Sequence, residues 1–230
     1  MGSFNEDVRE NGGYLYTTNA SFSSKVANKR ISEETRKYIS PEIHTIIDAG
    51  CGDGIYTNEI AFITPGTKLT GFDPAVDAIQ RAGCLYPDIV FVVGDVLRPE
   101  TFPKKKYDMA IMRGVIHHLP IQKDAIANMP LLSTKLFIIE PNGNNPILKI
   151  IEKVSSYHIE HEEQSFSTKS LVSWCMDAGY NQINVTYIGF VPFFCWEPLA
   201  KFVYFFQPFL EKIPLFPKYF GAQIAIYCEI

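Results

Sequence analysis

Short apolar runs, each closed by a glycine or a charged residue, alternate along this chain with stretches whose apolar positions recur at helical spacing. Thr45-Ile46-Ile47 runs into Asp48-Ala49, Lys68 to Phe72 into Asp73, Ile89 to Val93 into Gly94-Asp95-Val96, and Tyr107 to Met112 into Arg113. Runs of this length suit strands better than helices. Between them, Ile55 to Ile63 and Lys123 to Leu132 carry helical periodicity, and Asn19 to Ser40 supplies one or two leading helices. Lys135 to Glu140 reads as a fifth strand, after which Asn145 can cap a helix that Pro146 opens. Thr168 to Ala178 is a crossover helix ended by Gly179, and Gln182 to Ile188 and Ala222 to Glu229 are the last strands. This alternation predicts an α/β fold in three layers, with a mostly parallel sheet covered on both faces and Ile89 to Val93 as a buried strand.

The first junction carries the most chemistry. Gly50-Cys51-Gly52-Asp53-Gly54 places glycines at alternate positions, where no Cβ obstructs a ligand and positive φ costs little. The helix behind the turn offers unpaired N–H groups to carboxylate or phosphate oxygens. Dinucleotide sites favour G-x-G-x-x-G, whereas this chain has G-x-G-x-G, with Asp48 two residues before the first glycine. A carboxylate there can meet an amino group, which suits a cationic amino-acid cofactor better than NAD. Asp73 stands 23 residues after Gly50 and can accept both hydroxyls of a ribose. Asp95, at the same sheet edge, can take an adenine amino group.

In order, DAGCGDG, GFDP, GDV and YDMAIMRGVIHHLP resemble the successive motifs of the class I S-adenosylmethionine-dependent methyltransferases, nearest the small-molecule branch that includes the quinone-methylating enzymes. The match is dense from Ile43 to Pro141. The resemblance implies a Rossmann-like methyltransferase sheet whose last strand inserts antiparallel, with S-adenosylmethionine as cofactor and S-adenosylhomocysteine as product. It implies that Gly50, Cys51, Gly52 and Asp48 hold the methionine end, and that Asp73, beside Pro74, holds the ribose. Asp95 and Val96 would frame the adenine, and Arg113 and Gly114 would pass beneath the methionine moiety. Tyr14 and Tyr16 are expected to fold over the cofactor, as leading segments do in that family. Each acid also has a plainer reading: Asp48 can cap the turn, Asp73 can start a helix and Asp95 can end a strand. Jointly the plain readings need three coincidences at successive strand ends, where open α/β sheets bind ligands.

Composition narrows the class. At 230 residues and 47% hydrophobic content the chain can bury one full core,. The expected organisation is a single domain over 1–230, with a helical lid at 1–40, a cofactor-binding core at 41–189, an apolar insertion at 190–220 and the last strand at 221–230. A net charge of −4 argues against a nucleic-acid partner,, and Lys104-Lys105-Lys106 reads as a solvated loop. Five cysteines form no C-x-x-C and no metal spacing, so free thiols are expected,. His158-Ile159-Glu160-His161-Glu162-Glu163 reads as a charged turn or lid in preference to a metal site. Met1 to Glu10 lacks the basic and apolar regions of a signal peptide, so a cytoplasmic location is expected.

The stretch from Phe190 to Phe220 holds nine of the 17 phenylalanines and five of the 15 prolines. Pro198 to Gln207 can form a helix with Leu199, Phe202, Val203 and Phe206 on one side, stopped by Pro208. Glu197, Lys201, Gln207, Glu211 and Lys212 interrupt it, so no apolar run approaches the ~18 residues of a membrane span. The segment reads as an added helical layer, as an apolar wall for a small or lipid-linked methyl acceptor, or as a surface touching the membrane interface. For a hydroxyl acceptor a base is needed, and His117 or His118, just past the fourth strand, is the candidate. Either can instead pin its loop by a hydrogen bond. The expected activity is methyl transfer, at oxygen, from S-adenosylmethionine. A non-catalytic binding module and an NAD-dependent oxidoreductase are the alternatives.

Overall fold

The computed structural model describes residues 21–154, 164–193 and 195–230. Helix α1 spans Phe22–Tyr38, capped by the Ser21 hydroxyl, which accepts the Ser24 N–H. Then follow β1 (Thr45–Ala49), α2 (Ile55–Ile63), β2 (Lys68–Asp73), α3 (Val76–Leu85), β3 (Val90–Val93), β4 (Met109–Arg113), α4 (Gln122–Asn128) and β5 (Lys135–Pro141). The second half contains α5 (Pro146–Val154), α6 (Thr168–Asp177), β6 (Gln182–Ile188), α7 (Glu197–Leu210), α8 (Phe216–Phe220) and β7 (Gln223–Glu229).

Among the described residues, seven strands form one sheet in the order β3-β2-β1-β4-β5-β7-β6. The pairs from β3 through β5 are parallel, and β7 runs antiparallel to both β5 and β6. Alternate residues feed opposite cores, as a pleated strand requires. On β4, Met109 and Ile111 join Ile31 of α1 and Ile60 of α2, whereas Ala110 and Met112 join Ile126 of α4 and Leu171 of α6. The fold is therefore the three-layer α/β arrangement with its antiparallel last strand. Its parallel strands all aim their C-terminal ends at one edge.

Several local signals act as the sequence predicts. Asn145 Oδ1 accepts the N–H groups of Ile147 and Leu148 at the start of α5, and Gly179 takes φ +94° after α6. Lys104, Lys105 and Lys106 are solvent-exposed, and the five cysteines are free thiols.

Three expectations need correction. β3 is the edge of the sheet, so it is not buried: Val90 and Val93 are 57% and 50% exposed. α4 ends at Asn128, because Pro130 has no N–H to continue it, and Met129–Leu131 tightens into a 3₁₀ turn,. Pro208 does not stop α7, which continues to Leu210 with the Glu211 N–H returning to the Gln207 carbonyl. Among the three readings of the 190–220 segment, α7 packs through small and polar positions and not through its rings. Its buried residues are Ala200, whose small side chain admits Val26 of α1, and Gln207, whose Oε1 accepts the Phe190 N–H at 3.3 Å. Leu199, Phe202 and Phe206 face solvent. No helix among the described residues is long and apolar enough to cross a membrane. Tyr14, Tyr16 and the His158 to Glu163 stretch lie outside the described residues.

Candidate functional site

Gly50 leaves β1 at φ +82°, and a Cβ there would lie 2.5 Å from Val115 Cγ2, so the turn requires glycine,. The Gly50 and Cys51 N–H groups both donate to the Phe72 carbonyl, at 2.8 and 3.1 Å. Gly52 donates its N–H to Asp73 Oδ2 at 3.0 Å. The turn is thus stitched to the end of β2. At its far side Gly54 stands before α2 with no side-chain cap, leaving helix N–H groups turned toward the loop,.

Asp48, 3% exposed, accepts the Thr57 hydroxyl on Oδ2 at 2.6 Å, which ties β1 to α2. Burial pushes its carboxyl up to about 6, against the Thr57 hydrogen bond and the charge of Arg113. Asp73 is also pushed up to about 6 by burial, against hydrogen bonds from the Ala75 and Gly52 N–H groups, and the charges of Asp95 and Asp53 add to the rise. Pro74 is exposed in the turn that follows. Asp95 Oδ1 accepts the Leu97 N–H at 2.9 Å, and Arg98 Nε stands 3.7 Å from Oδ2. Val96 is buried beneath it, its carbonyl accepting Asn128 Nδ2 at 2.9 Å. Burial beside Asp48 and Asp73 raises the Cys51 thiol. The structure therefore gathers Asp48, Asp73 and Asp95 at the C-terminal ends of three neighbouring strands, where their negative charges oppose one another.

Arg113 turns its guanidinium toward α1 and α2. Nη2 donates to Asn28 Oδ1 at 2.8 Å, Nη1 is 3.6 Å from Glu59 Oε2, and the group lies 3.5 Å from the Tyr56 ring centroid. Gly114 follows at φ +65° and leads into the 3₁₀ turn Ile116–His118. Here the structure supplies a residue that the sequence reading missed. Glu140, 1% exposed at the end of β5, accepts the Val115 and Ile116 N–H groups on Oε1, each at 2.8 Å. Its Oε2 accepts the His117 N–H at 3.3 Å and lies 2.7 Å from His117 Nδ1. The His118 ring packs on that of His117, with centroids 3.8 Å apart. Glu140 closes an apolar run just as Asp73 and Asp95 do, so the strand-end logic that found those acids also points to it.

A family model described as a methyltransferase domain matches residues 19–185. The chain belongs to this methyltransferase family. That membership sets the NAD-dependent reading aside. The chain shares 31% identity over 99 residues with the putative methyltransferase 235L of Invertebrate iridescent virus 6; the match covers 41% of this chain and 36% of that one. It is 29% identical over 103 residues to an uncharacterized methyltransferase of Schizosaccharomyces pombe, covering 44% and 37% of the two chains. The chain thus spans little more than a third of the curated relatives it matches. Among solved structures, a S-adenosylmethionine-dependent methyltransferase of Thermotoga maritima superposes with a TM-score of 0.64 at 15% identity, over 98% of this chain and 97% of that one. The magnesium protoporphyrin IX methyltransferase of Synechocystis PCC 6803, which holds S-adenosylhomocysteine, gives 0.65 at 13% identity over 100% and 99%. These two likenesses are likenesses of fold.

The family's cofactor is S-adenosylmethionine, and the residues present fit it. Crowded carboxylates call for a cation and for hydroxyl donors, and that molecule carries a sulfonium, an ammonium and a ribose.

Proposed function

We propose that this methyltransferase carries a methyl group from S-adenosylmethionine to a hydroxyl of a small or lipid-linked apolar acceptor, with His117 as base. When bound, the cofactor would supply a methyl made electrophilic by its sulfonium, the O–CH3 bond forming as the S–CH3 bond breaks and the sulfur keeping the bonding pair as a neutral thioether. Gly50, Cys51, Gly52 and Asp48 receive the methionine end, and Asp73, with Pro74 beside it, the ribose hydroxyls. Asp95 and Val96 border the adenine, and Arg113 and Gly114 underlie the methionine moiety.

The observation that carries this reading is the Glu140 carboxylate against His117 Nδ1. A carboxylate already taking three backbone N–H groups offers only acceptor positions, so Nδ1 carries hydrogen and Nε2 carries the lone pair. Nε2 then takes the acceptor's proton as the new O–C bond forms, and a held acceptor gains the rate advantage of alignment. His118 packs against the base. Exposed aromatics of α7 favour an apolar acceptor, and the site of action is the cytoplasm. Calorimetry with S-adenosylhomocysteine, followed by radiolabelled methyl transfer into aqueous and organic-phase extracts, tests this directly. Binding without transfer to either phase would leave a non-catalytic module in its place.

A further inference from the structure

Two helices of the second half turn apolar faces to solvent. On α5, Ile147, Ile150 and Val154 share one side at helical spacing and are 55%, 62% and 72% exposed,. The other side of α5 is tied down by Lys149, which donates to the Ser165 carbonyl and pairs with Glu152 at 2.9 Å. On α7, Phe202, Phe205 and Phe209 are 61%, 78% and 66% exposed. The short α8 connects the two regions, packing against α5 and held by Asn142 Nδ2, which donates to the Lys218 and Gly221 carbonyls at 3.0 and 2.9 Å. Side chains this large, open on two helices that α8 links, mark an interaction surface.

Charge identifies the occupant. In residues 146–154 and 190–220, Lys149 pairs with Glu152, Lys201 with Glu197 and Glu211 with Arg30, which leaves Lys153, Lys212 and Lys218 without an ion pair among the described residues, whereas the whole chain has a net charge of −4. A second copy meeting the same face would set positive against positive. An anionic bilayer complements both features: rings settle at the acyl boundary while lysines reach the headgroups. We propose that the α5, α7 and α8 face docks the protein on an anionic phospholipid surface, reversibly and without spanning it. α5 follows β5, whose Glu140 holds His117, so docking brings the candidate acceptor edge near the lipid. The inference goes beyond methyl transfer and does not depend on it.

Co-sedimentation of the full chain with phosphatidylcholine vesicles, with and without phosphatidylglycerol, tests it. Binding is expected on the anionic vesicles, weaker on the neutral ones and weakened by salt. The double variant Phe205→Ser, Phe209→Ser should lose about 100-fold in partitioning, roughly tenfold for each ring withdrawn. A thermal melt like that of the parent would show that the variant is folded. A protein that stays in the supernatant with both vesicle types overturns the proposal, as does equal binding to both or unchanged binding by the double variant. A dimer in solution that the same variant abolishes would assign the face to a second copy instead.

Discussion

Glu140 Oε2 stands 2.7 Å from His117 Nδ1, and the same carboxylate accepts backbone N–H groups from Val115, Ile116 and His117. One buried side chain at the end of β5 thus holds both the path of the loop after β4 and the ring of its histidine. The contact crosses the sheet between adjacent parallel strands and joins residues 23 positions apart.

If His117 is the base, His117→Ala removes proton transfer and leaves the cofactor turn untouched. Turnover is expected to fall by about 10²–10⁴-fold, the usual contribution of a positioned base. The affinity for S-adenosylhomocysteine should change little. Single-turnover kinetics and calorimetry separate the two quantities, and parallel losses in both would show that the ring only braces its loop.

Glu140→Gln keeps the shape but halves the acceptor oxygens. At least one of the N–H groups it now satisfies would face the new amide N–H, a cost of about 1–3 kcal/mol. For a chain of this size, each kcal/mol lowers Tm by roughly 2–4 °C. The pH dependence of residual turnover should shift as well, because the amide no longer holds Nδ1 protonated. A lower Tm with an unmoved pH profile would confine Glu140 to scaffolding.

Gly50→Ala tests the turn itself. The added Cβ meets Val115 Cγ2 at 2.5 Å in a backbone of φ +82°. An L side chain in that conformation costs about 1–3 kcal/mol, and relief of the clash moves Val115, whose N–H is bonded to Glu140. Scanning calorimetry should register the lost stability, and cofactor affinity should fall with it. A variant equal to the parent in both would mean that the turn has room to shift.

Much of the candidate cofactor edge was legible because its signals are local. A strand needs an apolar run and an abrupt end, so Asp48, Asp73 and Asp95 could be placed at one edge from spacing alone. The Glu140 contact was not legible, since it depends on β5 lying beside β4 in a register that no local pattern states. In the 190–220 segment, periodicity named an apolar face but could not say whether α1 would accept rings or the small Ala200. Pro208 misled for a related reason: near a helix end, the N–H it lacks costs only one bond of the last turn. β3 looked buried from its composition, and its place at the sheet edge decided otherwise.

Asp48 and Asp73 make the stability of the ligand-free protein depend on pH. Both carboxyls are pushed up to about 6 by burial, above the ~3.9 of an unfolded aspartate. Between these values the folded chain binds more protons than the unfolded chain, so stability falls as pH rises through the window and levels off above it. Each pKa unit corresponds to about 1.4 kcal/mol, which makes the ligand-free protein more stable near pH 5 than near pH 7. Asp48→Asn, whose amide oxygen can still accept the Thr57 hydroxyl, should flatten part of that slope. Cofactor binding should run the other way, since ribose hydroxyls donate to an ionised Asp73 and affinity therefore grows as pH passes 6. Melting curves and S-adenosylhomocysteine titrations across pH 4.5 to 7.5 read both trends, and a Tm that climbs steadily with pH in the parent while Asp48→Asn copies it would place these two acids outside the titration.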